Sequence, residues 1–283
     1  MRVLVFGQSG QVATEIIRRG GDATITALSS SDADFLHPDD CAAIVQWTEA
    51  DVIINAAAYT NVDGAESEPN AATMINAETP GAIAREAAKR DIPFVHISTD
   101  YVFDGKTGTA WREDDATGPL SVYGQSKLAG EQAITAAGGP HAILRTSWVF
   151  SAHGGNFVKT MLRVGAGRDA LNVVDDQIGG PTAAADIADA VLAIARAFHE
   201  GRGVSGIYHF AGGPDVSWRG FAEAIFGTAG MDVTANGITT AEWPTPAARP
   251  PNSKMDCSKI TADYGIARPD WRVALADVLA ELK

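Results

Sequence analysis

Short runs of β-branched and apolar residues alternate with amphipathic stretches through the first half of this 283-residue chain, and few architectures accept that rhythm. The runs Arg2–Phe6, Thr24–Leu28, Val52–Asn55, Pro93–Ile97 and His141–Arg145 predict strands. Between them, the stretches near Gln11–Gly20, Asp40–Glu49, Ala71–Lys89 and Ser121–Ala137 predict helices. Strands that are apolar along their whole length are buried on both faces, and parallel neighbours need helical crossovers. The pattern therefore predicts a doubly wound parallel α/β sheet. After about residue 150 the rhythm loosens. Leu171–Val174 and Ile207–Phe210 predict strands and Thr182–Phe198 a long helix, while the prolines between Trp243 and Asn252 exclude regular structure there.

Charge narrows the partners. Lys plus Arg number 22 against 35 Asp plus Glu, a net charge of −13. Such a surface repels phosphate chains and anionic membranes at long range, so neither nucleic acid nor membrane is expected as a partner. Two cysteines, Cys41 and Cys257, build no disulfide framework, and no apolar run reaches membrane-spanning length. A cytoplasmic protein is expected.

The first strand runs directly into Gly7-Gln8-Ser9-Gly10-Gln11-Val12-Ala13. Gly7 suits a tight turn, Gly10 the approach of backbone to a pyrophosphate, and Ala13 the packing of helix on strand. The free N–H groups opening the next helix then face phosphates. This predicts a Rossmann-like dinucleotide-binding domain over residues 1–147, completed by about 180–212. Residues 148–179 and 213–283 are expected to form a smaller, discontinuous substrate lobe. The second strand ends in Ser29-Ser30-Ser31 without an acid for the ribose 2′-hydroxyl, so NADPH is permitted alongside NADH. Ser29 is a candidate contact, and Asp34 could serve the adenosine side.

Pro93–Ile97 leads into Ser98-Thr99-Asp100-Tyr101-Val102-Phe103, hydroxyls at a strand's carboxyl end, where open α/β sheets bind ligands. Tyr123 and Lys127 are four residues apart, which on a helix puts both side chains on one face, about 5–6 Å apart at Cβ. A hydroxyl, a phenol and an ammonium beside a dinucleotide suit carbonyl reduction. Adjacent Ser98 and Thr99 point to opposite faces of a strand, and pattern alone does not choose between them.

These segments resemble the extended short-chain dehydrogenase/reductases, and within them the branch that reduces dTDP-4-dehydro-β-L-rhamnose. The resemblance spans the chain. It includes Asn55-Ala56-Ala57-Ala58-Tyr59-Thr60, Val62-Asp63, Ser98 to Phe103, Tyr123 to Lys127, and Arg145-Thr146-Ser147-Trp148-Val149. Asp176-Gln177-Ile178-Gly179-Gly180-Pro181-Thr182 and Arg249-Pro250-Pro251-Asn252-Ser253 continue it into the second lobe.

The resemblance implies an oxidoreductase acting on a dTDP-linked 4-keto-6-deoxy sugar, usually as a homodimer. It makes Thr99 the catalytic hydroxyl, Tyr123 the proton donor and Lys127 its partner. Gly10, Gln11, Val12, Asp34, Phe35, Ala58, Tyr59, Thr60 and Ile97 are expected to line the cofactor, with Gly7, Ser29, Tyr123 and Lys127. Thr99, Asp100, Tyr101 and Trp148 would touch the sugar nucleotide, with Val62 and Asp63 close by and Arg249 and Asn252 on its diphosphate side. Lys127 is expected to lower the pKa of Tyr123 from about 10 by about 1–3 pH units.

Several residues also admit plainer readings. Burial is the default for a tryptophan such as Trp148. Asp175-Asp176 reads as a solvated turn, and His96 and His209 as packing residues. Some relatives hold a metal between subunits with carboxylates. Glu15 would be one such ligand, but Ala183-Ala184-Ala185 stand where a second acid is expected, so Mg2+ is not. Thr99-Asp100-Tyr101 lacks the glutamate that related dehydratases carry. The alternatives are another nucleotide-sugar 4-ketoreductase, or a non-catalytic NADP-binding regulator resembling the regulatory subunit of methionine adenosyltransferase.

Overall fold

The computed structural model describes residues 1–283. Six parallel strands form the main sheet, in the spatial order Gly206–His209, His141–Thr146, Phe94–Thr99, Val52–Asn55, Arg2–Phe6, Thr24–Leu28. The order in which the chain adds strands reverses between Arg2–Phe6 and Val52–Asn55, the switch point at which such sheets open a crevice. Side chains alternate across the pleat, so Val3 and Val5 join one core and Leu4 and Phe6 the other. Helices Gln11–Arg19 and Ala184–His199 cover the first face through Ile16, Ile187, Val191 and Ile194. Helices Pro38–Trp47, Thr79–Lys89 and Val122–Ala137 cover the second through Val45, Ile83 and Ile134.

A third core, with Phe150, Phe221, Ile225 and Trp271, belongs to the smaller lobe. Its strands pair in short sheets. Ala170–Val174 lies parallel to Thr234–Ile238, and Ile178–Gly179 lies between Val216–Ser217 and Asn252–Ser253. No helix is long and apolar enough to cross a membrane.

Three segments differ from the sequence expectation. Ala71–Lys89 is not one helix, because a π-helical turn, Met74–Glu78, separates Pro69–Thr73 from Thr79–Lys89. Pro80 has no N–H to return to the Asn76 carbonyl, and the Asn76 side chain instead clasps the Tyr59 backbone at 2.9 and 3.1 Å. The helix expected from Thr182 begins at Ala184, since Thr182–Ala183 pairs with Val149–Phe150 as strand. At the end of the proline-rich stretch, Asn252 lies in a strand rather than a loop.

Candidate active site

A cleft of about 700 Å³ opens at the carboxyl ends of the main strands, between the glycine loop and the second lobe. Gly7 has φ +115°, and a Cβ there would stand 3.2 Å from the Ala56 carbonyl carbon, so the turn requires glycine. Gly10 caps the helix Gln11–Arg19 without a side-chain acceptor, which leaves the first N–H groups open to the cleft. The Gln11 side chain ties the lobes together, its carbonyl accepting from Ser151 Oγ at 2.8 Å and Asn156 Nδ2 at 2.9 Å. A loop carrying Gly154 and Gly155 is thereby held over the cleft, a wall the sequence reading missed.

Tyr123 and Lys127 reach this cleft through one close approach. Ser121 Oγ accepts from Gly124 N at 3.2 Å and starts the helix Val122–Ala137. A Cβ on Gly124 would lie 2.3 Å from the Tyr101 carbonyl oxygen, so only glycine lets the helix dock on the turn Asp100–Val102. The rings of Tyr101 and Tyr123 then meet edge to face at 5.5 Å. Thr99 Oγ1 donates to Asp100 Oδ1 at 3.1 Å and accepts from Tyr101 N at 3.2 Å. Asp100 Oδ2 and Thr146 Oγ1 are buried in the cleft wall without a hydrogen-bond partner.

Electrostatics here are set by burial. Water withdrawn from Tyr123 raises its phenol to about 12; the Thr99 hydroxyl pulls back, and Asp100 adds to the rise. The lowering expected from Lys127 is not found. Lys127 Nζ is turned instead to the Ile97 carbonyl at 2.7 Å and to His96 Nε2 at 3.2 Å. Burial also lowers Lys127 to about 8, against a smaller opposing pull from Glu131. Desolvation raises the Asp100 carboxyl to about 6.

Most residues named from the sequence meet in this one cleft. Gly7, Gly10, Gln11, Val12, Ser29, Asp34, Phe35, Ala58, Thr60 and Ile97, expected at the cofactor, line part of it. Val62, Thr99, Asp100, Tyr101, Tyr123, Lys127 and Trp148 line the rest. Trp148 adopts φ +49° and stacks on Trp218 with centroids 3.6 Å apart, one face packed and half-buried beside the cleft.

Four named residues are not in the cleft wall. The Tyr59 hydroxyl donates to Glu68 at 2.7 Å. Asn252 is buried, and its amide is fully engaged: Nδ2 donates to the carbonyls of Thr107 and Thr109 at 2.8 and 2.7 Å, and Oδ1 accepts from Lys254 N. It pins a loop. Asp63 and Arg249 form a two-toothed ion pair at 3.1 and 2.9 Å that joins the lobes next to Tyr101. Ser98 does line the cleft, but its hydroxyl donates to Glu131 at 2.5 Å, away from Thr99's contacts.

His96 is the clearest omission of the sequence reading, since it touches Lys127 directly. The available signal was a register. His96 and Ser98 share a strand face, Lys127 and Glu131 share a helix face, and each polar residue meets its opposite number. Asp175 and Asp176 form no dyad: the first pairs with Ser217 and Arg219, the second with Thr240. Glu15, His153 and Glu281 converge as three possible metal ligands. The Arg18 guanidinium lies among them, at 3.2, 2.9 and 2.7 Å, and already supplies a cation.

The family described as the RmlD substrate binding domain matches residues 1–283. A dTDP-4-dehydrorhamnose reductase of Sinorhizobium fredii is 43% identical over 278 residues, covering 96% of this chain and 94% of that one. The chain belongs to the dTDP-4-dehydrorhamnose reductase family. Solved structures of this family superpose closely. One from Clostridium acetobutylicum is 34% identical with a TM-score of 0.93, covering 100% of this chain and 99% of that one. One from Bacillus anthracis, in complex with NADP, is 33% identical with a TM-score of 0.93, covering 99% of both chains.

Proposed function

We propose that the protein reduces the C4 ketone of dTDP-4-dehydro-β-L-rhamnose to dTDP-L-rhamnose with NADPH or NADH. One observation carries the reading: a phenol and a buried lysine one helical turn apart, beside Thr99, open into the same cleft as the uncapped glycine-loop helix. The cradle at Gly7 and Gly10 fits a pyrophosphate, with Ser29, Asp34 and Phe35 toward the adenosine. A reduced nicotinamide bound there supplies the hydride. Asp32 folds back on Ser29, accepting from its N–H at 2.9 Å and its hydroxyl at 2.6 Å. A ribose hydroxyl tolerates that carboxylate, and the flanking serines tolerate a phosphate, so both nucleotides are expected to work.

The remaining steps belong to this chain. Thr99 would orient the carbonyl oxygen, and Tyr123, un-ionised at neutral pH, gives it a proton as charge develops there. The Lys127 ammonium stabilises the phenolate left behind. Asp100 Oδ2, buried and unpartnered, would accept from a sugar hydroxyl. Holding donor and acceptor in line contributes most, about 7–11 kcal/mol where alignment is good. Residues 148–179 and 213–283 would hold the sugar nucleotide. The Asp63–Arg249 pair would sit at its diphosphate side, with Arg249 free to exchange one anion for another. This chemistry would take place in the cytoplasm, where two unpaired, buried cysteines are at home, and in a homodimer.

Turnover with a dTDP-4-keto-6-deoxy sugar is expected to remove the absorbance of NADPH and NADH and to yield dTDP-L-rhamnose. Cofactor binding without that loss would instead mark a regulator. The profile of kcat/KM against pH should be a bell. Below about pH 6 Asp100 is protonated and loses its acceptor, so activity rises as pH climbs through that value. Above about pH 8 Lys127 loses its charge and activity falls. A profile flat from pH 5 to pH 9 would remove both assignments.

A further inference from the structure

We propose that Asn55 and His96 form a directional hydrogen-bond chain that weakens Lys127's hold on its proton and receives its lone pair once that proton has gone. The inference rests on the reading of Lys127 as the partner of Tyr123. His96 is a positioning residue, acting only through the lysine.

The chain begins at a group whose role cannot change. Ala57 N–H is a backbone donor, and Asn55 Oδ1 accepts it at 3.0 Å. That contact fixes the amide, so Nδ2, the donor end, faces His96 Nδ1 at 3.0 Å. Nδ1 must then be a bare acceptor. Asn55, His96 and Lys127 are buried, and burial beside Lys127 keeps the His96 ring neutral, with one proton. That proton must lie on Nε2, which is 3.2 Å from Lys127 Nζ. A donor facing Nζ needs a lone pair there, so the arrangement in the structure is that of the free amine. Its N–H groups serve the Ile97 carbonyl at 2.7 Å and the cleft.

Protonating Lys127 reverses every link. The ring must move its proton to Nδ1, Asn55 must turn to offer Oδ1, and the Ala57 N–H is left facing an amide NH2. Ala57 N–H is only partly buried, but a donor held against a donor loses its hydrogen bond, and that cost falls on the ammonium state. The other groups facing Lys127 do not supply this directionality. On its own helix stand Tyr123 and Glu131, the latter bound bidentately by Arg145 from the neighbouring strand; Asp100 lies beside Tyr123. In turnover the sequence balances. Tyr123 gives its proton to the alkoxide, and the phenolate takes one from Nζ, a transfer downhill from a group near 8 to one near 12. Water returns a proton to the free amine before the next cycle; the ring reaches its Nε2–H form only where the amine persists while water carries one proton to Nε2 and another away from Nδ1.

Nitrogen-15 spectra of the cofactor-free, wild-type protein test this without any variant. Between pH 6 and pH 10 the His96 ring should stay neutral while its one proton moves from Nδ1 to Nε2, with a midpoint at about 8. The His96 signals are those absent from His96→Gln. A ring that keeps one tautomer throughout overturns the proposal. In His96→Gln the amide oxygen accepts from the ammonium, so the alkaline limb of kcat/KM should move up by about one pH unit, with KM for NADPH changed less than about twofold. A merely structural histidine would leave the limb in place, and that result also overturns it. Failure to reduce the dTDP sugar would remove the functional reading, while the tautomer measurement would still decide this one.

Discussion

Tyr123→Phe should lower kcat by about 10²–10⁴-fold while leaving cofactor affinity within about twofold. The substitution deletes one oxygen and little else. The ring keeps its edge-to-face contact with Tyr101, and the helix keeps its start at Ser121 and its seat on the Tyr101 carbonyl. What goes is the acid. With the phenol pushed up to about 12, Tyr123 carries its proton at every working pH, and no neighbour replaces it. Thr99 is a weaker acid already hydrogen-bonded to Asp100, and Lys127 points to the Ile97 carbonyl. Stopped-flow turnover with NADPH, beside fluorescence titration of the cofactor, separates chemistry from binding. A variant that retains more than about a tenth of the wild-type rate would show that the proton comes from elsewhere.

The largest effect on stability should come from Arg145→Met. Arg145 grips Glu131 with two bonds, at 2.9 and 2.7 Å, and both side chains are 2% exposed. Ser98 donates to the same carboxylate, and the guanidinium lies 5.0 Å over the Phe103 ring. Removing the cation leaves a buried carboxylate without its charge partner, which costs about 3–5 kcal/mol. Urea unfolding at pH 8 measures the loss. Replacing Glu131 by Leu in the same chain should recover much of the loss, since the uncompensated charge is then gone. A single variant less than about 1 kcal/mol below wild type would mean that water reaches Glu131.

Much of the site could be read directly because its parts are local in sequence. The glycine loop, the hydroxyls after Ile97 and the Tyr123–Lys127 pair each sit within one short segment, at fixed distances along a strand end or a helix turn. Periodicity found the strands of the main sheet for the same reason, since two-sided burial leaves few polar residues along them. The misplaced elements were those whose geometry is imposed from a distance. The π-turn at Met74–Glu78 depends on Asn76 clasping Tyr59, 17 residues earlier. Asn252 was assigned to substrate by resemblance, yet its amide serves a loop more than 140 residues away.

Protonation states belong wholly to the second category. A spacing of four places an ammonium near a phenol, but says nothing about which way the ammonium turns. Burial, the Ile97 carbonyl and the His96 ring decide that, and they leave Tyr123 a weaker acid than spacing alone implied. From the order of residues came the sheet, the nucleotide loop and the chemical groups that gather at the strand ends, because each follows from contacts within a turn or a pleat. Only the folded chain decided which lone pair meets which proton, because desolvation and hydrogen-bond direction arise between segments far apart in sequence.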